Sequence, residues 1–273
     1  MPPREKASIS KLIRASKTGL ITVEVAAAAL GLSHAVASAR LARLARSGWA
    51  VRVRRGLYQI LPLEAEPGQK VTSEDPWVLA RELFSPCYIG GWSAAEHWGL
   101  TEQLFRSTFV VTAAPVRRAH ATFLGNDFRL FVVRPDKLTE GVVDVWRGSE
   151  RVAVSGPERT LVDCLHTPEL CGGARHLAQF LREYGENKKR DFSGLLAIAR
   201  ATASGAGWKR LGYLAEVLWP AETAVLSTVQ SRLSAGYARL DPSVRKRGQL
   251  LKRWRLWVNV DLKEFGAASV PKP

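Results

Sequence analysis

The chain has few cysteines and no long apolar run, so it lacks the sequence features of disulfide-bonded and membrane-spanning proteins. Its 273 residues include three cysteines, an odd number at irregular spacing, which disfavours a disulfide framework and fits a reducing compartment. No apolar run approaches the roughly eighteen residues that a membrane helix needs, and no signal-peptide core follows the start. We therefore expect a cytoplasmic protein with no membrane partner.

Motifs of the common enzyme classes are also missing. The five histidines show no metal-binding spacing, and the sequence has no phosphate-binding glycine loop and no Gly-x-Ser-x-Gly elbow. Cys164, His166 and Cys171 would need a fourth ligand to hold zinc, so we interpret the two cysteines as buried, inert thiols. The sequence predicts no metal, no cofactor and no catalytic residue.

A nuclease that requires Mg²⁺ is the enzymatic alternative. Pro135-Asp136 and Asp261-Leu262-Lys263 match elements in which carboxylates hold the metal and a lysine steadies the attacking water. The second element follows an apolar, strand-like segment at 257–260. The two elements are far apart in the chain, and no acid between them is obviously placed. We therefore expect a protein that is not an enzyme.

Acidic residues are scarce relative to basic ones, most of all at the amino-terminal end. The chain has 40 Lys and Arg against 25 Asp and Glu, a formal charge of +15. Residues 1–61 hold eleven of the cations and only two acids, Glu5 and Glu24, so 11 minus 2 gives +9. Clustered cations gain affinity for duplex DNA by releasing its condensed counterions. The charge distribution predicts double-stranded DNA as a partner of this segment.

Residues 22–61 have the pattern of a winged helix-turn-helix. A short helix stops at Gly31, and Ser33 then caps a second helix that runs to about Arg46 and buries apolar residues at helical spacing. The following segment alternates apolar and basic residues and turns at Gly56, which predicts a hairpin with a cationic tip.

The exposed side of the second helix and the hairpin supply the candidate DNA contacts. Alanines on this helix offer only thymine-methyl contacts, so specificity is expected to depend on DNA shape and paired sites. We predict eight contacting residues: His34, Ser38 and Arg43 toward the major groove, Arg40 and Arg46 nearer the phosphates, and Arg52, Arg54 and Arg55 on the wing.

The rest of the chain indicates a second, α+β domain. Residues 62–75 are polar with two prolines and a glycine, which predicts a linker between domains at 1–61 and 76–273. Helices capped by Asp75 and Ser93 are followed by about four strands between residues 107 and 154, and then by five helices. Residues 1–6 and 270–273 are expected to be frayed.

A second basic run occupies residues 245–255 and contains no acid. Interleaved Leu250, Leu251, Trp254 and Trp257 predict that one side of it is packed. Two interpretations remain open, a solvated surface or an additional contact with DNA or a protein partner. Its six cations are Arg245, Lys246, Arg247, Lys252, Arg253 and Arg255.

Four short motifs follow in order within and behind the winged helix. They read RGLY at 55–58, YIGGWSAAEHWGLTEQ at 88–103, VSGPERTLVDC at 154–164 and KRLGYLAE at 209–216. With the amino-terminal module, nearly the whole chain resembles the AbiEi antitoxins of bacterial abortive-infection loci, which are transcriptional regulators of a viral defence system. Within the third motif, Arg159 and Asp163 are spaced to pair across one helical turn, and we interpret them as a structural ion pair.

The resemblance implies a protein with two functions. The winged helix would bind inverted repeats upstream of its own operon and repress it. The second domain would counteract a toxin that resembles a nucleotidyltransferase, with or without a stable complex. A stand-alone transcription factor whose second domain senses a small molecule is the remaining alternative.

Overall fold

The computed structural model describes residues 3–16, 18–69 and 75–266, which form an α+β protein of two compact units. The first unit comprises Met1–Leu83, His120–Asp127 and Trp146–Arg151, and the second comprises Phe84–Ala119, Phe128–Val145 and Val152–Pro273. The predicted domain limits at 61 and 76 stay a prediction. Residues 70–74 of the predicted linker, and the carboxyl-terminal segment expected to be frayed, lie outside the described residues.

The first unit contains a helix-turn-helix followed by an antiparallel hairpin, as the sequence predicts. The three strands form one antiparallel sheet in the order β1-β3-β2. The elements are α1 Pro3–Ala15, β1 Leu20–Thr22, α2 Val23–Leu30, α3 His34–Arg46, β2 Ala50–Arg54 and β3 Leu57–Ile60.

Local signals set the turn between α2 and α3. The Thr22 hydroxyl accepts a hydrogen bond from the Val25 backbone N–H at 3.3 Å and caps α2, and Ser33 caps α3. Gly31 ends α2 at a φ of +64°, in the left-handed region that favours glycine. The chain bends by 103° between the two helices, an angle typical of the motif. No single described helix is long and apolar enough to span a membrane, and this bent pair passes that test only jointly, by length and composition.

Two elements of the first unit were not predicted. The segment expected to be frayed is helical from Pro3 onward, so that expectation is wrong for residues 3–6. The reason is burial, because Ile9 and Leu12 of α1 are fully buried against α2, α3 and the sheet. β1 pairs with β3 through Ile21 and Tyr58 and adds the third strand.

A mixed sheet of six strands, two more than expected, is formed between residues 87 and 155. Its order is β6-β7-β5-β4-β9-β8, with β4 parallel to β9 and β5 parallel to β7. The elements of this part of the chain are α4 Pro76–Phe84, β4 Cys87–Ile89, α5 Gly91–His97, β5 Thr108–Thr112, β6 His120–Phe123, β7 Asn126–Val132, β8 Val142–Arg147 and β9 Glu150–Ser155.

Five helices and a small sheet complete the second unit. The five predicted helices are confirmed, and their ends agree with the prediction to within a few residues. The three-stranded sheet, in the order β10-β12-β11, was not predicted as a sheet. The elements are α6 Pro157–His166, α7 Ala174–Glu186, α8 Phe192–Thr202, α9 Gly205–Leu218, α10 Thr223–Ser231, β10 Ala238–Arg239, β11 Gln249–Leu251 and β12 Leu256–Val258.

The predicted caps of two helices have different outcomes. Asp75 caps α4 as expected, accepting hydrogen bonds from the backbone N–H groups of Trp77 and Val78. Ser93 does not cap α5, which begins two residues earlier at Gly91. Its hydroxyl instead accepts a hydrogen bond from the Phe109 backbone N–H at 3.0 Å, which fastens α5 to β5.

Arg159 and Asp163 form the predicted ion pair, at the centre of a buried network. The Arg159 Nε and an Asp163 carboxylate oxygen are 2.8 Å apart, and only 2% of the Arg159 side chain is exposed. Arg159 also donates to the Tyr88 hydroxyl and to the carbonyl oxygens of Lys137 and Glu140. Burial raises the pKa of Tyr88, so its hydroxyl stays protonated and donates to Asp163 at 2.7 Å.

The network predicts that removing the charge of Asp163 destabilises the protein more than removing the charge of an exposed acid does. Asp163→Asn keeps the shape of the side chain but leaves the buried guanidinium without its counter-charge, so we expect a loss of about 3 kcal/mol in the free energy of unfolding. Chemical denaturation followed by tryptophan fluorescence measures this. Asp136→Asn is the matched control, because Asp136 pairs with Arg134 in solvent. Equal midpoints for the two variants would show that the network contributes no stability.

Candidate nucleic-acid interface

The outer surface of α3 is set by the residues that the helix buries. Ala37, Leu41 and Leu44 are at most 1% exposed and fix the helix against the rest of the first unit. Helical spacing therefore turns the opposite side to solvent. The predicted contact residues fall into two groups, with His34, Arg43 and Arg46 exposed and Ser38 and Arg40 half-buried at the edges of that surface.

His34 has an acidic neighbour that sequence reasoning missed. Its Nε2 lies 3.3 Å from a carboxylate oxygen of Glu24, and both side chains are exposed. A hydrogen bond with its own backbone N–H lowers the pKa of Glu24, and contacts with Thr22 and His34 lower it further. Glu24 is one of only two acids in the first 61 residues, so it places a negative charge beside a strongly cationic surface. The bend between α2 and α3, rather than any sequence spacing, brings the two side chains together.

The hairpin presents its cations unequally. Arg52, Arg54 and Arg55 are all exposed, and Gly56 makes the turn at a φ of +79°. Arg54 Nη2 donates to the backbone carbonyl oxygen of Glu82 in α4 at 2.8 Å. Arg54 is therefore partly engaged by the protein itself, whereas Arg52 and Arg55 make no comparable bond within the described residues.

Two valines of the helix-turn-helix are exposed, although the helical spacing of Val25, Ala26 and Leu30 predicts that Val25 is buried. Val25 of α2 is 42% exposed and Val36 of α3 is 52% exposed. The helical pattern placed Val36 on no particular side, although it directly precedes the buried Ala37. As an exposed apolar side chain on α3, Val36 has the chemistry to contact the methyl group of thymine, as Ala35 and Ala39 do.

The second basic run lies in the second unit, and all six of its cations are exposed. The expectation that one side is packed is confirmed for Trp254, which is fully buried, and for Leu251, which packs against the core. It is wrong for Leu250 and Trp257, which are only half-buried. Arg253 pairs with Glu216, and Arg255 donates to the Ser234 carbonyl oxygen at 3.0 Å.

The residues of the nuclease alternative are engaged in local contacts. Asp136 pairs with Arg134, and Asp261 lies 3.7 Å from the Lys263 ammonium while accepting a hydrogen bond from the Lys263 backbone. Among the described residues, no group of three or more His, Cys, Asp or Glu is arranged to hold a metal ion. Cys164 and Cys171 are buried, and burial raises the pKa of the Cys164 thiol.

Comparisons with known proteins match two separate segments of the chain. A family model described as a transcriptional regulator, AbiEi antitoxin, matches residues 8–60, and a model of the AbiEi antitoxin C-terminal domain matches residues 88–217. None of the curated proteins matches the chain. The crystal structure of the RV2827C protein from Mycobacterium tuberculosis is similar, with a TM-score of 0.60 and 17% identity over 94% of this chain and 92% of that one. At this identity the likeness shows a shared fold alone.

The geometry of Glu24 predicts a variant that binds duplex DNA more tightly. Glu24→Gln removes the negative charge beside His34, so affinity for a DNA duplex should rise about threefold at low salt, and the gain should fade as salt screens the charge. Fluorescence anisotropy at two salt concentrations measures it. Glu5→Gln on α1 removes the other acid of residues 1–61 and is the matched control. Equal effects of the two substitutions would mean that net charge alone matters and that Glu24 has no local role.

Proposed function

Since the chain belongs to the AbiEi antitoxin family, we propose that it is a DNA-binding antitoxin that represses its own toxin–antitoxin operon. It binds inverted repeats in the promoter through the first unit. Through its carboxyl-terminal domain it counteracts a cognate toxin of the nucleotidyltransferase type, with or without a stable complex. The observation that carries the proposal is the winged helix-turn-helix, with its cations exposed on α3 and on the hairpin.

Within this function, the residues of α3 divide between reading bases and holding phosphates. We propose that His34, Ser38 and Arg43 face the major groove, and that Arg40 and Arg46 contact phosphates on its rims. Few side chains on this surface of α3 can distinguish bases by hydrogen bonds. Its other exposed residues, Ala35, Val36 and Ala39, offer only apolar contacts. Specificity then depends on DNA shape and on the spacing of two half-sites, which suits an inverted repeat.

On the wing, we propose that Arg52 and Arg55 hold the phosphate backbone or enter the minor groove. Arg54 contributes less, because its guanidinium already donates to the Glu82 carbonyl oxygen. The three arginines therefore differ in how freely their guanidinium groups can bind a phosphate.

The phosphate contacts predict a change in salt dependence. Arg55→Ala should weaken binding to all duplex sequences alike. It should also make the negative slope of log Kobs against log salt shallower by about one, because one fewer counterion is released. Arg54→Ala should change the slope less. Titrations of the full-length protein with promoter and scrambled duplexes measure both. The control is Arg200→Ala, an exposed arginine of α8 in the second unit. If Arg55→Ala and Arg200→Ala leave the same slope, the wing does not touch DNA.

The two activities are expected to separate by substitution. Full-length protein carrying Arg43→Ala and Arg46→Ala should lose repression of a promoter–reporter fusion, because both cations leave α3. The same variant should still protect cells when it is co-expressed with the toxin reading frame adjacent to its gene, because these residues lie outside the carboxyl-terminal domain.

Growth and reporter output are scored in the same strain, with the wild-type chain and an empty vector as references. Loss of protection together with repression, at equal protein level, would contradict the division of labour. Repression without any protection by the wild-type chain would favour the stand-alone transcription factor.

A further inference from the structure

The small sheet of the second unit has one buried and one open face. Along β12, Leu256 is fully buried and the next residue, Trp257, is half-exposed. Successive strand residues point to opposite faces, so Trp257 belongs to the open face. The strand register places Arg239 of β10 and Leu250 of β11 directly beside it.

Aromatic rings and arginines share this open face. Tyr237 is 59% exposed, and its ring centroid lies 6.5 Å from that of Trp257. The Arg247 guanidinium lies over the Trp257 ring, 4.0 Å from its centroid. We call the set Tyr237, Arg239, Arg247, Leu250 and Trp257 the aromatic face.

The aromatic face rests on a rigid support. Beneath it, Trp254 is fully buried and its indole N–H donates to the Glu216 carboxylate of α9. Gly212 of α9 gives this ring its place, since a Cβ there would lie 2.1 Å from the Trp254 ring. Arg210 of α9 donates to the carbonyl oxygen of Arg239 at 3.0 Å and holds β10 in place.

The charge around the aromatic face has one sign. Residues 237–258 include seven Lys and Arg and a single acid, Asp241. Asp241 is only 4% exposed, and its carboxylate accepts hydrogen bonds from the Ala174 backbone and from Ser243. The solvent side of this segment therefore presents cations to a ligand and no free carboxylate of its own.

We propose that the aromatic face binds single-stranded RNA. An exposed ring beside arginines matches what unpaired nucleotides offer, because a base can stack on the ring or on a guanidinium plane while phosphates meet the cations. The bases of a duplex are already stacked on one another and have no free surface for Tyr237. Unpaired bases persist in cellular RNA, whereas cellular DNA is almost entirely paired, so RNA is the source we assign.

The site is separate from the helix-turn-helix, and it gives the second unit a nucleic-acid ligand of its own. Tyr237 supplies the stacking surface, Arg247 and Trp257 form the stacked pair next to it, and Arg239 lies in register to meet a phosphate. Lys246 and Lys252 of the same segment are exposed and add cations for the RNA backbone.

Binding of an unstructured RNA to the full-length protein tests the proposal. The probe is fluorescein-labelled oligo(U) of about twelve nucleotides, the length of a typical single-strand site, and anisotropy is recorded at low and moderate salt. In the oligo(U) assay, the reference protein and every variant carry Arg43→Ala and Arg46→Ala, so that α3 contributes little to RNA binding. We expect Tyr237→Ala to weaken oligo(U) binding about tenfold, and Tyr237→Phe to restore it.

Matched controls separate stacking from general charge or unfolding. Trp146→Ala removes another exposed aromatic residue, 61% exposed with an arginine over its ring, and should leave oligo(U) binding unchanged. Promoter-duplex binding by variants that keep Arg43 and Arg46 should be unaffected by Tyr237→Ala. That arm is the readout of the proposed function, so the failure of one proposal is distinguishable from failure of the other.

Several results would overturn the assignment. They are absence of oligo(U) binding, failure of Tyr237→Phe to rescue, an equal loss of duplex and oligo(U) binding in Tyr237→Ala, and tighter binding of oligo(dT) than of oligo(U). The last would assign the face to single-stranded DNA. Capture of the toxin by this face without any RNA binding would assign it to a protein partner instead.

Discussion

One buried guanidinium holds the second unit together. Arg159 reaches from α6 to the Tyr88 hydroxyl on β4 and to two carbonyl oxygens of the segment before β8, and Asp163 balances its charge. A buried cation tolerates no substitute geometry, because every donor that loses its partner carries a desolvation penalty. The sheet, the first helix behind it and the connecting segment are therefore specified jointly. The positions of Tyr88 and Arg159 in the second and third sequence motifs have this structural explanation.

Function in the first unit depends on a different kind of constraint, which is the separation of charge from the apolar core. Three buried residues of α3 orient its cations, and the hairpin adds others on a short antiparallel turn. Glu24 opposes this arrangement locally, since its carboxylate occupies the neighbourhood of His34. A substitution at such a position would adjust affinity without altering the residues proposed to read bases.

Sequence periodicity sufficed for elements whose burial is local. The spacing of Ala37, Leu41 and Leu44 predicted α3, and the four-residue spacing of Arg159 and Asp163 predicted their pair. It failed where burial depends on distant partners. α1 has a mostly polar sequence and is held mainly by the buried Ile9 and Leu12. The strands β1, β6, β10 and β11 are short and defined by their pairing, whereas the strand-like segment at 257–260 overlaps β12. The aromatic face combines residues from three strands and from the segments beside them, and the sequence pointed only to the basic run with its interleaved Leu250 and Trp257.

The contact between Trp254 and Gly212 has an evolutionary consequence. The Trp254 indole occupies the volume that any side chain at position 212 would need, so Gly212 cannot be replaced while the tryptophan remains. A homologue with alanine at position 212 must therefore carry a side chain smaller than tryptophan at position 254. The two positions should vary together across the family. The lysine and arginine residues around them are under no such restriction, and their pattern can diverge while the platform persists.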